Sequence, residues 1–160
     1  RLLTQALHAA RPAVIDADAL VLMRPAMLNS APCVLTPHEG EMATLERTFA
    51  LDGKGLRRDR ALALAKAASA VVVFKGPDTV IAAPDGTLIL GPRASPWLSV
   101  AGTGDVLAGT IASRLAVHAD PLRAAQEGLW LHGEAARLCG AAFTPGELAH
   151  AIGSALTECL

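Results

Sequence analysis

The chain has 160 residues, 52% of them hydrophobic and 18% charged, enough to bury one good core but not two. Lys and Arg total 14 against 15 Asp and Glu, so no basic field gathers nucleic acid, and any anionic ligand must be held by local geometry. No apolar run approaches the ~18 residues that span a bilayer, and Thr4, Gln5 and His8 interrupt the opening leucines, unlike a signal peptide. A soluble cytoplasmic protein with no membrane or nucleic-acid partner is expected. Cys33, Cys139 and Cys159 are an odd set without C-x-x-C spacing, each in an apolar neighbourhood, and read as buried free thiols. With 3% aromatic residues and no Tyr, only Trp97 and Trp130 could serve as stacking platforms.

The chain opens at Arg1 within a helical pattern (Leu3, Ala6, Leu7, Ala10), which suggests that sequence upstream is missing. Residues 12–20 (PAVIDADAL) and 32–40 (PCVLTPHEG) are short apolar runs bounded by proline and polar residues, the signature of buried strands. Residues 68–76 (ASAVVVFKG) are the clearest strand of all. Between them, residues 40–50 set Met42, Leu45 and Phe49 at helical spacing, and residues 56–68 (LRRDRALALAKAA) are rich in helix formers. Strand–helix–strand order implies parallel pairing. Residues 79–90 (TVIAAPDGTLIL) offer two short β runs around Asp85-Gly86, a turn pair that closes hairpins. The remainder, 104–119, 120–140 and 144–160, reads as helix, with Asp120-Pro121 and Thr144-Pro145 marking two starts by an N-cap followed by proline. No repeat or linker is seen, and the layout is one layered α/β domain, or most of one.

Residues 99–109, SVAGTGDVLAG, carry the chemistry. A P-loop needs Lys then Ser or Thr where Asp105 and Val106 stand, and a dinucleotide fingerprint needs glycine where Leu107 stands. What is left is a Gly-Thr-Gly turn, Gly102, Thr103 and Gly104, feeding a helix whose first N–H groups are unpaired and whose dipole is positive there: an anion hole. Asp105 beside it would repel phosphate unless it accepts a proton from a hydroxyl aimed at that phosphate, which makes it a candidate general base. The plainer alternative is that Thr103 or Asp105 caps the helix and the glycines only turn the chain.

Residues 35–41, LTPHEGE, follow the second strand. Thr36, Pro37 and Glu39 fit a capping box with proline at the first helical position. His38 is not explained that way; near a helix N-terminus it should be neutral and able to bond a polar ligand, although a lone histidine is more often structural. In FKGPDT, residues 74–79, Lys75 and Asp78 would lie beyond a strand's carboxyl end, where ligands of open α/β sheets bind; a solvated lysine is the alternative. Asp16 and Asp18 would share one side of a strand end and could meet magnesium or ribose. The basic run 54–60 (KGLRRDR) reads as a solvated face, and His132 as a packed core histidine.

Taken together, VIDADAL, LTPHEGE, VVVFKGPDTVIAAPDG, PWLSVAGTGDVLAG and LWLHGEAA occur in the order and approximate spacing of a known family. The chain resembles the carbohydrate-kinase-like domain of the NAD(P)H-hydrate dehydratases, a branch of the ribokinase-like superfamily. TPHEGE selects the branch, since the GTGD-type turn is shared with many sugar and vitamin kinases. The resemblance implies an α/β, ribokinase-like layered fold with a mostly parallel sheet flanked by helices, of which residues 1–160 would be the C-terminal part. It also implies a metabolite-repair lyase that dehydrates the S epimer of NADHX or NADPHX to NADH or NADPH, with magnesium and with ADP, ahead of ATP, as co-substrate. The ring hydroxyl would be phosphorylated and phosphate would then leave. On this view Asp105 is catalytic and, with His38, touches the hydrated dinucleotide. Gly102, Thr103 and Gly104 form the anion hole, while Lys75, Gly76, Pro77, Asp78, Thr79 and Gly104 hold the adenine nucleotide. No metal ligand is assigned, and a homo-oligomer is expected. Many family members read Gly-Asn-Pro-Gly before the turn and Gly-Gly-Thr-Gly-Asp within it, where this chain has Ser95-Pro96-Trp97 and Ala101-Gly102-Thr103-Gly104-Asp105. Complete domains also carry an N-terminal glycine-rich turn without a counterpart here. The alternatives are a ribokinase-like kinase of a vitamin precursor or sugar, which would leave a stable phosphorylated product, and a truncated, non-catalytic remnant.

Overall fold

The computed structural model describes residues 2–9, 11–28 and 31–159. One five-stranded sheet has the order β1 (Ala13–Ile15), β2 (Cys33–Leu35), β3 (Val71–Phe74), β4 (Val80–Ala82) and β5 (Leu88–Leu90). The first three strands run parallel, with Ile15 opposite Leu35 and Leu35 opposite Val72. β4 and β5 add antiparallel, Phe74 facing Val80 and Ala82 facing Leu88. The expected Asp85-Gly86 turn joins them: Asp85 accepts the Thr87 N–H at 2.8 Å.

The helices are α1 (Leu2–His8), α2 (Asp18–Leu22), α3 (Glu39–Thr48), α4 (Arg57–Ala68), α5 (Thr103–His118), α6 (Pro121–Cys139) and α7 (Pro145–Thr157). Short 3-10 turns at Pro25–Met27 and Pro96–Ser99 had no sequence signal. Leu3, Ala6 and Leu7 of the opening pattern lie in α1, whereas Ala10, Arg1 and Leu160 fall outside the described residues. Both proline-marked starts hold. Asp120 accepts the N–H groups of Leu122 and Arg123, and Thr144 forms a capping box with Glu147. The strands are shorter than their apolar windows. In the 12–20 window the chain leaves the sheet after Ile15, turns through Ala17 at φ 51°, and starts α2 at Asp18.

β2, β3 and β4 are buried throughout, because helices cover both faces of the sheet. Alternate residues serve opposite faces. Leu35, Val72 and Phe74 pack with Leu20, Met42, Leu45 and Leu64 of α2, α3 and α4. Val34, Val71, Val73 and Ile81 pack with Leu107, Ile111 and Leu115 of α5 and with Ala124 and Leu129 of α6. Each fully buried side chain of this size contributes about 1.5–3 kcal/mol. A third cluster, including Leu131, Ala135, Phe143, Leu148 and Ala155, ties α7 to α6. Helices α5 and α6 touch closely at Gly128, where a Cβ would lie 2.5 Å from Ile111 Cγ1.

Among the thiols only Cys33 is buried; Cys139, the last residue of α6, is half-buried against the third cluster, and Cys159, past the end of α7, is exposed. Trp97 and Trp130 are each 45% exposed. Among the described residues no helix is long and apolar enough to cross a membrane. The arrangement has one consequence for chemistry: the carboxyl ends of three parallel neighbours deliver Asp16, Thr36 to His38, and Lys75 to Gly76 to the same edge of the sheet.

Candidate active site

At the end of β2, Thr36 does not cap the following helix. It is buried, and both its N–H and its hydroxyl donate to the Ile15 carbonyl, at 3.1 and 3.3 Å, extending the β1–β2 ladder past the last strand residue. The cap is His38. Its Nδ1 accepts the N–H groups of Gly40 at 3.0 Å and Glu41 at 3.3 Å, while the Glu41 carboxylate accepts the His38 N–H at 2.7 Å. The box therefore pairs His38 with Glu41 rather than Thr36 with Glu39. Since Nδ1 accepts, the neutral ring carries its proton on Nε2, which lies 3.5 Å from Glu41 Oε1 on a side chain 60% exposed. His38 is thus structural and displayed at once.

At the end of β3 the Lys75 N–H donates to the Pro37 carbonyl at 2.8 Å, tying the two loops together. The Lys75 side chain is not a solvated lysine: it is 19% exposed, with Nζ 2.6 Å from Asp16 and 3.9 Å from Glu41. The Thr79 hydroxyl donates to the Gly76 carbonyl at 3.0 Å and accepts the Gly76 N–H at 3.3 Å, which closes the KGPDT loop on itself. Thr79 is buried; Pro77, Asp78 and Asp18 are exposed.

The basic run 54–60 is a solvated face only in part: Lys54, Arg58 and Asp59 are exposed, whereas Arg57 and Arg60 turn inward. Arg57 donates to the carbonyls of Phe74 and Lys75 at 3.2 and 2.9 Å and to Glu39 at 2.7 Å, with its guanidinium 3.6 Å over the Phe74 ring. Arg60 is forked onto Glu46 and also reaches Glu39; its hydrogen bonds to Glu46 hold it still more firmly protonated. The physical reason is that partly desolvated guanidinium groups need acceptors, and the strand end supplies them.

Gly102 takes φ 95°, and a Cβ there would meet Pro145 at 3.1 Å, so the turn into α5 requires glycine twice over. Thr103 faces inward. Its hydroxyl donates to the carbonyls of Leu98 and Val100 at 2.7 and 2.8 Å, and its N–H to Val100 at 3.3 Å. The unengaged donors of the first turn are the N–H groups of Gly104 and Asp105. A Cβ on Gly104 would lie 3.6 Å from Lys75 Nζ, so a lysine ammonium and a helix N-terminus meet at one point. The Asp105 carboxylate is exposed and has no partner among the described residues. Behind the turn, His132 on α6 is buried, its Nε2 2.9 Å from the Thr103 carbonyl.

The fold thus brings Asp16, His38, Lys75 and Gly104 together, with Glu41 as the link between His38 and Lys75. Glu41 could have been found by moving the capping box two residues along. The contacts of Arg57 had no sequence signal, because they cross from another element; His132 is buried as a packed core histidine should be, but its bond to Thr103 was not foreseen. Among the described residues no three His, Cys, Asp or Glu side chains cluster as a ready-made metal site.

A mixed sheet with helices on both faces and a glycine turn into a helix beside the strand ends is a ribokinase-like architecture. The ribokinase of Thermotoga maritima shares it at a TM-score of 0.55 and 13% identity, over 94% of this chain and 59% of that one, a likeness of fold alone. The sequence model of the NAD(P)H-hydrate dehydratase family matches residues 1–158, and the chain belongs to that family. It is 42% identical over 124 residues to the ADP-dependent (S)-NAD(P)H-hydrate dehydratase of Xanthomonas campestris, covering 78% of this chain and 43% of that protein. It is 43% identical over 128 residues to the bifunctional NAD(P)H-hydrate repair enzyme Nnr of Moorella thermoacetica, covering 78% and 24%. The crystal structure of ADP/ATP-dependent NAD(P)H-hydrate dehydratase from Bacillus subtilis, co-crystallised with ATP/Mg2+, matches with a TM-score of 0.77 and 32% identity over 92% of this chain and 55% of that one. The chain spans about half, or less, of the length of these relatives.

Proposed function

We propose that the protein carrying this chain dehydrates hydrated NADH and NADPH back to the reduced dinucleotides, using ADP or ATP as phosphoryl donor. The observation that carries this is the meeting of Lys75 Nζ with the Gly104 turn, a cation and unpaired N–H groups on one spot. A terminal phosphoryl group seated there would be held by the N–H groups of Gly104 and Asp105 and by the Lys75 charge. Gly76 to Thr79 would flank the rest of the nucleotide.

The ring hydroxyl, oriented by the Nε2–H of His38, attacks the phosphorus, and its proton goes to Asp105. The bond to the nucleotide's leaving oxygen breaks, and the turn's N–H groups stabilise the charge on the transferring group. Hydroxide is a poor leaving group and phosphate a good one, so the carbon–oxygen bond to phosphate then breaks while the neighbouring ring carbon gives up a proton to solvent, and the ring double bond re-forms between the two carbons. One ATP gives ADP and phosphate, or one ADP gives AMP and phosphate, for each dinucleotide repaired.

Magnesium fits this site as a companion of the nucleotide, since it binds through one or two carboxylates plus substrate phosphates. Asp16 and Glu41, the carboxylates around Lys75, are the residues that would meet it, and it would neutralise phosphate charge.

Incubation of the protein with NADPHX, magnesium and either nucleotide tests the proposal. Return of NADPH fluorescence with one phosphate released per NADPH is expected. A stable phosphorylated product without NADPH would instead indicate a kinase.

A further inference from the structure

We propose that His132 is a positioning residue: it sets the direction of the Gly104 N–H in the phosphate-binding turn by holding the Thr103 carbonyl. The proposal rests on the nucleotide reading of the turn given above. His132 lies on α6, 6% exposed, and its Nε2 is 2.9 Å from the carbonyl oxygen of Thr103, the first residue of α5. A carbonyl only accepts, so Nε2 carries the proton. Burial pulls the ring's pKa below the ordinary histidine range against the opposing pull of the Thr103 bond, which keeps it a neutral donor near pH 7.

The Thr103 carbonyl and the Gly104 N–H belong to one peptide unit. That unit is planar and trans, so a donor that fixes the carbonyl fixes the N–H pointing the opposite way. Gly104 has no side chain to restrict its own rotation, and among the described residues its N–H has no protein partner, so the His132 bond adds to the hold that the helical ladder of α5 has on the Thr103 carbonyl. The flanks of this peptide are also pinned. The Thr103 hydroxyl holds the carbonyls of Leu98 and Val100, and Gly102 packs on Pro145. His132 stands one helical turn beyond Gly128, which packs directly on Ile111 of α5. The register of the two helices is therefore what places the imidazole under the turn.

A histidine that only filled space would tolerate leucine. His132→Leu removes the donor at similar volume, whereas His132→Gln returns an amide N–H near the position of Nε2. Both variants are made in the intact protein, with Leu131→Ala as a control that loosens α6 without touching Thr103. ADP affinity is read by calorimetry, and amide hydrogen exchange of the bonded N–H groups of Val106 and Leu107 is read without nucleotide. His132→Leu is expected to weaken ADP binding roughly three- to tenfold and to speed exchange in the first turn of α5. His132→Gln is expected to recover both, and Leu131→Ala to lower the melting temperature while leaving ADP affinity in place. Wild-type affinity and exchange in His132→Leu, or equal losses in His132→Leu and His132→Gln, would overturn the proposal. If the wild type binds ADP but returns no NADPH, the dehydratase reading fails while the affinity comparison still judges His132. If it binds no ADP, the nucleotide reading fails, and the exchange rates alone decide whether His132 fixes the turn.

Discussion

Arg57 stands under the loop that follows β3 and donates to the Phe74 and Lys75 carbonyls at the strand's end. Arg57→Ala leaves both acceptors and Glu39 short of a donor. With charged hydrogen bonds at about 1.5–3 kcal/mol, reduced for partial exposure, urea denaturation should show a loss of about 2 kcal/mol. Arg57→Lys should recover less than half of it, since an ammonium cannot span two carbonyls and a carboxylate while lying flat on Phe74. Gly102→Ala meets a different obstacle. An alanine at φ 95° is strained, and its methyl meets Pro145, so a stability loss of about 1–3 kcal/mol is expected together with weaker ADP binding. Unchanged ADP affinity in a folded Gly102→Ala protein would argue against the turn as a phosphate seat.

At the scale of elements, α5 and α6 are joined at one end by charge and at the other by His132. Burial pushes the Glu127 carboxyl up, but hydrogen bonds from Arg123, Arg114 and His118 outweigh it and bring it down to about 2. A carboxyl held below its ordinary 4.5 contributes stability that is complete above that pH and is lost as pH falls toward 2. Thermal melts across this range should steepen for the wild type and flatten for Glu127→Gln. His132 adds a second acid-sensitive step. Its folded pKa lies below the ordinary 6.5, so the fold loses stability as pH drops under that value and the unfolded chain takes the proton first. His132→Gln should remove this step. Much of the element order was readable: Asp85-Gly86, Asp120-Pro121 and Thr144-Pro145 are local signals that act within a few residues. The cap of α3 was misassigned to Thr36 because two polar residues in one short stretch could each cap. Only the neighbouring Ile15 carbonyl, which claims the Thr36 hydroxyl, decides for His38.

Across the whole molecule, β1, β2 and β3 gather residues that are far apart in sequence, and the site exists only where their carboxyl ends meet α5. The sequence pointed to Lys75, His38, Asp105 and the glycine turn because each sits in a short motif with its own chemistry. It was silent on the contacts of Arg57, it marked His132 as a packed core histidine without its bond to Thr103 on another helix, and it offered no sign that Asp16 would be held by Lys75. The proposed reaction depends on a phosphoryl group moving from the Gly104 turn to a ring hydroxyl whose proton Asp105 accepts. The most direct measurement compares the wild type with Asp105→Asn for NADPH recovered from NADPHX with magnesium and ADP or ATP, alongside ADP affinity. A kcat lower by about a hundredfold or more with ADP binding intact is predicted; turnover by Asp105→Asn at the wild-type rate would contradict it.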